Sequence, residues 1–396
     1  MNARDIVILA GARTGMCRYG GPLRETSALE LGAVAARGAL ERSGVPAADF
    51  DHVIIGNALQ TSGDAIYGAR HVGLKAGLPI ETPAVTVNRL CGSGMESIIQ
   101  GAHRLLLGEA RMVLAGGMES MSQAPHVIRG ARWGFRLGDA PMEDSLMVAL
   151  KDTYCGCYMS DTAENLAQQR GITRQAADEF ALLSQQRAED AWKACRLKEE
   201  IVPVELKSRK GTTLFAEDDH RRPETTLESL AKLPPAFRPD GIITAGNASG
   251  IVDGGAAVVM TTEAEAKKRG KAPMGRLVSW AVAGVEPSLM GIGPVPATRQ
   301  ALEKAGLKLS DIDLIEVNEA FAPQYLAVEK ELGLDRAKTN VNGGAIALGH
   351  PLGATGTRLV LTLLYELGRR RARYGLATAC IGGGQGIALI VESESR

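Results

Sequence analysis

The sequence predicts an α/β fold in which one strand–helix unit is written twice, and three observations predict it. Short apolar strand-like runs alternate with helical patterns, the alternation recurs in the same order in both halves, and a stretch of different character separates the copies. Asp51-His52-Val53-Ile54-Ile55-Gly56-Asn57-Ala58 is an acidic start, an apolar strand and an Asn; Asp313-Leu314-Ile315-Glu316-Val317-Asn318-Glu319-Ala320 repeats it. A helical pattern ending in Gly44 precedes the first, and one ending in Gly306 precedes the second. Val87-Asn88 and Val341-Asn342 come next, each before a Gly-rich turn and a helix-like stretch. The first such stretch sets Met95, Ile98, Ile99, Ala102, Leu105 and Leu106 on one helical face. Strands Met112-Val113-Leu114-Ala115 and Leu376-Ala377-Thr378-Ala379 follow, and strand-like runs from Ile6 and from Arg276 open the halves. Such alternation implies parallel or mixed sheets covered on both faces. Residues from about 120 to 249 break the pattern; they carry one long helical stretch, Thr162 to Lys198, and a basic loop, Lys207-Ser208-Arg209-Lys210. They read as an insertion folding over the duplicated core, and such insertions often carry functional residues.

Composition narrows the function. The 396 residues are 45% hydrophobic and 23% charged, enough for a sizeable core, and Lys plus Arg equals Asp plus Glu at 45 each. There is no overall basic field for nucleic acid or a membrane surface. No run reaches the roughly 18 apolar residues of a membrane helix. Ile6-Val7-Ile8-Leu9-Ala10 is too short and early for a secretory signal, and Glu394-Ser395-Arg396 is not a peroxisomal address, so a cytoplasmic protein is expected. Six cysteines in a chain this long read as reduced thiols.

Three Gly-rich segments carry the chemistry. In Val87-Asn88-Arg89-Leu90-Cys91-Gly92-Ser93-Gly94, a Cys ends a strand and meets a helix N-terminus, which favours the thiolate. Its small neighbours would admit a substrate and leave backbone N–H groups as oxyanion donors. A packed, inert cysteine has the same local pattern. The counterpart runs from Asn342-Gly343-Gly344 to Gly349-His350-Pro351-Leu352-Gly353, where His350 can act as general base or donor before a helix that Pro351 would start. In Cys380-Ile381-Gly382-Gly383-Gly384 a thiol suited to giving and taking protons meets a backbone donor at Gly382, or a buried thiol meets a strand bend.

Read together with Asn318-Glu319-Ala320-Phe321-Ala322, Gly246-Asn247-Ala248-Ser249-Gly250 and Gly291-Ile292-Gly293-Pro294, these segments resemble the thiolase family, its acetyl-CoA acetyltransferases and short-chain 3-ketoacyl-CoA thiolases. The resemblance covers essentially the whole chain. It implies a five-layered αβαβα core of two halves, residues 1–119 plus 250–270 and residues 271–396, with an inserted loop domain, 120–249, that holds coenzyme A. It makes Cys91 the acylated nucleophile, His350 its activator and Cys380 the proton shuttle at the second substrate's α-carbon. Asn318 would hold a water that forms one oxyanion hole with His350; the backbone N–H groups of Cys91 and Gly382 would form the other. Arg222, Ser229, Leu233, Phe237, Ala245, Ser249 and Phe321 match coenzyme A contacts, and Met159 and Met290 match the acyl pocket. Acyl-coenzyme A and coenzyme A are then substrates, with no separate cofactor or metal, and a homotetramer is expected. Tyr158 stands where the best-known short-chain members have His, and the implied consequence is an altered acyl pocket; Cys155 and Cys157 beside it are also unusual. A decarboxylating ketoacyl synthase would share the fold and the first cysteine, but Cys380 argues against it. A metal or redox site at Cys155, Cys157 and Cys195 lacks a second cysteine pair at zinc-finger spacing.

Overall fold

The computed structural model describes residues 2–209 and 211–394; Met1, Lys210 at the end of the basic loop, and Ser395 and Arg396 at the C-terminus lie outside the described residues. The first half runs through β1 (Ile6–Arg13), α1 (Ala28–Ser43), β2 (His52–Gly56), β3 (Ala84–Val87), α2 (Ser93–Leu106) and β4 (Met112–Glu119). The chain then leaves the sheet, forms α3 (Met159–Arg170) and α4 (Arg174–Lys193), and returns as β5 (Val252–Thr262). The second half follows as β6 (Gly275–Gly284), α5 (Pro294–Ala305), β7 (Leu314–Val317), α6 (Ala322–Leu332), α7 (Leu352–Arg370), β8 (Tyr374–Ile381) and β9 (Gln385–Ser393).

The strand order is β3-β2-β4-β5-β1 in the first half and β7-β8-β9-β6 in the second. Pairs β2–β3, β2–β4 and β7–β8 are parallel, while β4–β5, β5–β1, β8–β9 and β9–β6 are antiparallel. Among the described residues the two sheets pair where Val7 and Ile8 of β1 meet Arg276 and Gly275 of β6. The duplication extends to single hydrogen bonds. Asp51 Oδ2 accepts from the N–H groups of Arg111 and Met112, and Asp313 Oδ2 accepts from those of Arg373 and Tyr374. Each acid ties the start of its parallel strand to the next one. Gly44 and Gly306 both end their helices in the left-handed conformation, which glycine adopts without a Cβ penalty.

Strand residues alternate between two cores, as the period of two requires. Ile6, Ile8, Ile54, Val113, Leu277, Ala377 and Leu389 face inward onto α2 and α7, packing with Ile98, Leu359 and Leu363. Val7, Val53, Ile55 and Leu114 face α1 on one outer side. Val278, Leu376 and Ile390 face α5 and α6 on the other. The result is five layers, helix–sheet–helix–sheet–helix, with α7 buried along nearly its whole length. One expectation fails: the stretch from Thr162 to Lys198 is not a single helix. Gly171 at φ 65° ends α3, and Thr173 caps α4 by accepting from Ala176 N–H.

Candidate active site

The turn after β3 is strained. Leu90 sits at φ 45°, a region that branched and bulky side chains avoid. Short hydrogen bonds hold it there. Leu90 N–H donates to Asn88 Oδ1 at 2.9 Å, Arg89 N–H to Ser93 Oγ at 2.8 Å, and the Ser93 hydroxyl to Leu90 O at 2.7 Å. The turn delivers Cys91 into a cavity just ahead of α2. Two expectations are corrected here. Burial pushes the Cys91 thiol up to about 11, although the N–H groups of Gly382 and Cys91 oppose the shift; the resting group is a thiol, not a thiolate. The small neighbours make room for the protein rather than for substrate. A Cβ on Gly94 would lie 2.5 Å from the backbone N of Thr357 in α7, and one on Gly92 would lie 2.5 Å from Ile381 Cδ1. The Gly92 N–H already donates to Arg89 O.

His350 enters the same cavity from the turn before α7, where Pro351 occupies the N-cap and the helix proper begins at Leu352. Its Nδ1 lies 2.6 Å from Thr355 Oγ1, whose hydroxyl donates to Pro351 O at 3.0 Å. With that proton committed, the Thr355 oxygen accepts from Nδ1–H, and the imidazole lone pair falls on Nε2. Asn318 Nδ2 approaches Nε2 at 3.3 Å, while Asn318 Oδ1 is buried with no partner among the described residues. Burial, with the Arg358 charge behind it, pushes the His350 imidazole down to about 3. It is therefore a neutral acceptor at neutral pH. Cys380, at the end of β8, is fully buried, and its thiol is driven far upward by burial and then by Cys91.

Cys91, His350, Cys380 and Gly382 line one cavity of about 670 Å³ with Tyr158, Met159, Phe237, Ser249, Met290 and Phe321. Asn318 stands behind His350 rather than in the wall. The structure does not bring Arg222, Ser229, Leu233 or Ala245 to this cavity. Arg222, Ser229 and Ala245 are exposed; Thr226 caps the short helix Leu227–Ala231 by accepting from Ser229 N–H, and Ser229 Oγ accepts from Thr226 N–H in return; Leu233 packs against the outer core of the second half. Sequence reasoning missed the wall formed by Met147, Leu150 and Lys151, a segment with no motif to mark it. Lys151 Nζ stands 5.4 Å from the centre of the Tyr158 ring. Thr355 lies two residues beyond the His350 segment, and nothing in the linear pattern pairs it with His350. Among the described residues no group of three or more His, Cys, Asp or Glu is placed to hold a metal ion, and Cys155, Cys157 and Cys195 are free thiols.

Residues 6–264 match the model of the thiolase N-terminal domain, and residues 271–393 match that of the thiolase C-terminal domain. The chain belongs to the thiolase family. It is an acyltransferase by that membership. The thiolase is 53% identical to the mitochondrial 3-ketoacyl-CoA thiolase of Homo sapiens over 393 residues, 99% of each chain. It is 50% identical to a beta-ketothiolase of Cupriavidus necator over 390 residues, 98% of this chain and 99% of that one. The crystal structure of the human enzyme in complex with CoA superposes with a TM-score of 0.96 at 52% identity, covering 99% of this chain and 98% of that one. The acetyl-CoA acetyltransferase of Bacillus anthracis superposes at 0.97 with 44% identity, covering 99% of each.

Proposed function

We propose that this thiolase is an acetyl-CoA C-acetyltransferase, which interconverts two short acyl-coenzyme A molecules with a 3-ketoacyl-coenzyme A and free coenzyme A through an acyl-Cys91 intermediate. The observation that carries the proposal is the convergence of two protonated thiols on one neutral imidazole with its lone pair at Nε2. A thiol held well above neutrality needs a base at the moment of attack, and His350 is the neutral acceptor in the same wall. His350 Nε2 takes the Cys91 proton and keeps it while the sulfur forms a bond to the thioester carbon; the bond to the coenzyme A sulfur breaks, and Cys380 gives its proton to that leaving thiolate. The Cys380 thiolate then takes the proton from the α-carbon of the second thioester. The new carbon–carbon bond forms as the Cys91–acyl bond breaks, and His350 returns its proton to the departing Cys91 sulfur. The N–H groups of Cys91 and Gly382 suit the first oxyanion, and His350 with a water on Asn318 suits the enolate, each donor being worth about 3–4 kcal/mol. The orphaned Asn318 Oδ1 supports that water.

The insertion, residues 120–249, would hold coenzyme A, with pantetheine in the cavity and the nucleotide along the exposed stretch carrying Arg222, Ser229 and Ala245. Tyr158 and its Lys151 neighbour would shape acyl preference. Two exposed apolar groups support a homotetramer built as a dimer of dimers: Ile66, Tyr67, Ile80 and Val85 on and beside the edge strand β3, and Trp133, Phe135, Leu137 and Met142 in the insertion. The proposed setting is the cytoplasm; among the described residues no helix is long and apolar enough to cross a membrane.

Mass spectrometry after mixing with acetyl-CoA tests the roles. Wild type should carry an acetyl group on Cys91, and Cys380→Ala should still be acetylated yet fail to condense. Acetylation at Cys380 in a Cys91→Ala variant would reverse the assignment.

A further inference from the structure

One buried carboxylate at this site has no part in the chemistry above. Glu119 ends β4, a strand otherwise made of apolar and glycine residues, and is fully buried. Its two oxygens accept four hydrogen bonds. Oε1 takes Asn57 Nδ2 at 2.7 Å and Leu59 N–H at 3.0 Å; Oε2 takes Ala58 N–H at 3.1 Å and Gly353 N–H at 2.8 Å. Three of these donors belong to the loop after β2 in the first half. The fourth lies in the first turn of α7 in the second half, three residues beyond His350.

Both attachments lead to reacting groups. Ala58 O accepts from Asn88 Nδ2 at 3.1 Å, and the same Asn88 holds Leu90 N–H in the strained turn before Cys91. On the other side, α7 has Pro351 at its N-cap and no side-chain cap of its own. Glu119 supplies the missing acceptor from the opposite half, where a helix N-terminus favours negative charge. Only an ionised carboxylate offers acceptors alone on both oxygens, and the backbone N–H groups of Leu59, Gly353 and Ala58 favour that form against the burial that raises the group to about 7. Electrostatically the arrangement is adverse, because the Glu119 charge adds to the upward push on the Cys91 thiol. A carboxylate that opposes the thiolate has to be explained by what it holds.

We propose that Glu119 is a positioning residue which sets the separation of the Cys91 sulfur from the His350 imidazole, by gripping with one carboxylate the loop that braces the nucleophile turn and the helix start that carries the base. This rests on Cys91 and His350 being nucleophile and base. Glu119→Gln puts an amide N–H₂ against two of the four donors, and Glu119→Asp keeps the charge but shortens the reach.

The test is the pre-steady-state rate of Cys91 acetylation by acetyl-CoA, with its dependence on acetyl-CoA concentration. In Glu119→Gln the limiting rate should fall by about tenfold or more while the half-saturating concentration stays within about twofold, as expected when reacting groups shift but the binding wall does not. Glu119→Asp should fail to restore it. A wild-type limiting rate in the Gln variant, or full rescue by Asp, overturns the proposal, the second by showing that charge alone suffices. If the Gln variant does not fold, Asn88→Ala decides. It cuts the link to Leu90 while leaving the carboxylate in place, so the limiting rate should drop several-fold, and an unchanged rate overturns the proposal. Absence of acetyl on wild-type Cys91 is a distinct result; it removes the nucleophile assignment, and this inference with it.

Discussion

At the scale of single residues, the site works by holding protons where neutral groups need them. Thr355 decides which imidazole nitrogen of His350 is free, because its own hydroxyl proton is committed to Pro351 O. Thr355→Val keeps the shape and removes the acceptor, so the proton can move to Nε2 and face the substrate. The expected loss in acetylation is on the order of 10²-fold, with Thr355→Ser close to wild type; stopped-flow release of coenzyme A reads it. A Val variant of undiminished rate would show that the tautomer is set by other means. Buried histidines also link stability to pH. Burial, with the Arg222 charge second, pushes His220 down to about 4. An unfolded histidine titrates near 6.5, so on acidification below that value the unfolded chain binds a proton the folded one refuses, and stability is lost. Above 6.5 the residue contributes nothing to the slope. Glu119 and Glu316, raised by burial to about 7 and about 8, pull the opposite way between their unfolded values and neutrality. The histidine part is therefore read by difference. His220→Gln should lose less melting temperature than wild type between pH 7 and pH 5; an equal loss would mean that His220 is already protonated in the fold.

At the scale of elements, the site depends on how closely α2 and α7 cross. A Cβ on Gly94 meets backbone of α7, whereas one on Gly92 meets the flexible end of Ile381. Gly94→Ala should therefore cost about 1–3 kcal/mol in a urea melt and slow acetylation, while Gly92→Ala should cost less. Equal costs would show that α7 yields as easily as a side chain. The sequence exposes these elements unevenly. Strand and helix order was legible from period and from glycine stops, because Gly44 and Gly306 end helices where only glycine sits comfortably. The break at Gly171 was legible in the same terms and was passed over, since the apolar spacing continues across it. The glycines around Cys91 were read as room for a ligand because a linear pattern does not reveal a second helix lying against them.

At the scale of the whole molecule, the duplication was legible down to Asp51 and Asp313, and the halves recombine as that repeat implies. Cys91 comes from one half and His350 and Cys380 from the other, so their meeting depends on α7 lying between the sheets. What stayed hidden acts across that boundary. Glu119 could have been noticed as the lone acid in an apolar strand, but its partner Gly353 is far away in sequence and offers only a backbone N–H. The two cavity thiols were recognised from their glycine neighbourhoods, while the wall at Met147, Leu150 and Lys151 is set by how the insertion folds back. The sheet order carries a further consequence for synthesis. Strand β5 lies between β4 and β1, yet it follows β4 by about 130 residues in the chain. A ribosome adding about 5–20 residues per second needs roughly 7–26 s to reach it. Throughout that interval the first sheet lacks the strand that joins β4 to β1, and the facing edges of those two stand unpaired. The nascent chain thus presents two sticky strand edges well before it can close them, which makes the rate of translation through the insertion, rather than the stability of the finished enzyme, a determinant of how much of it escapes aggregation.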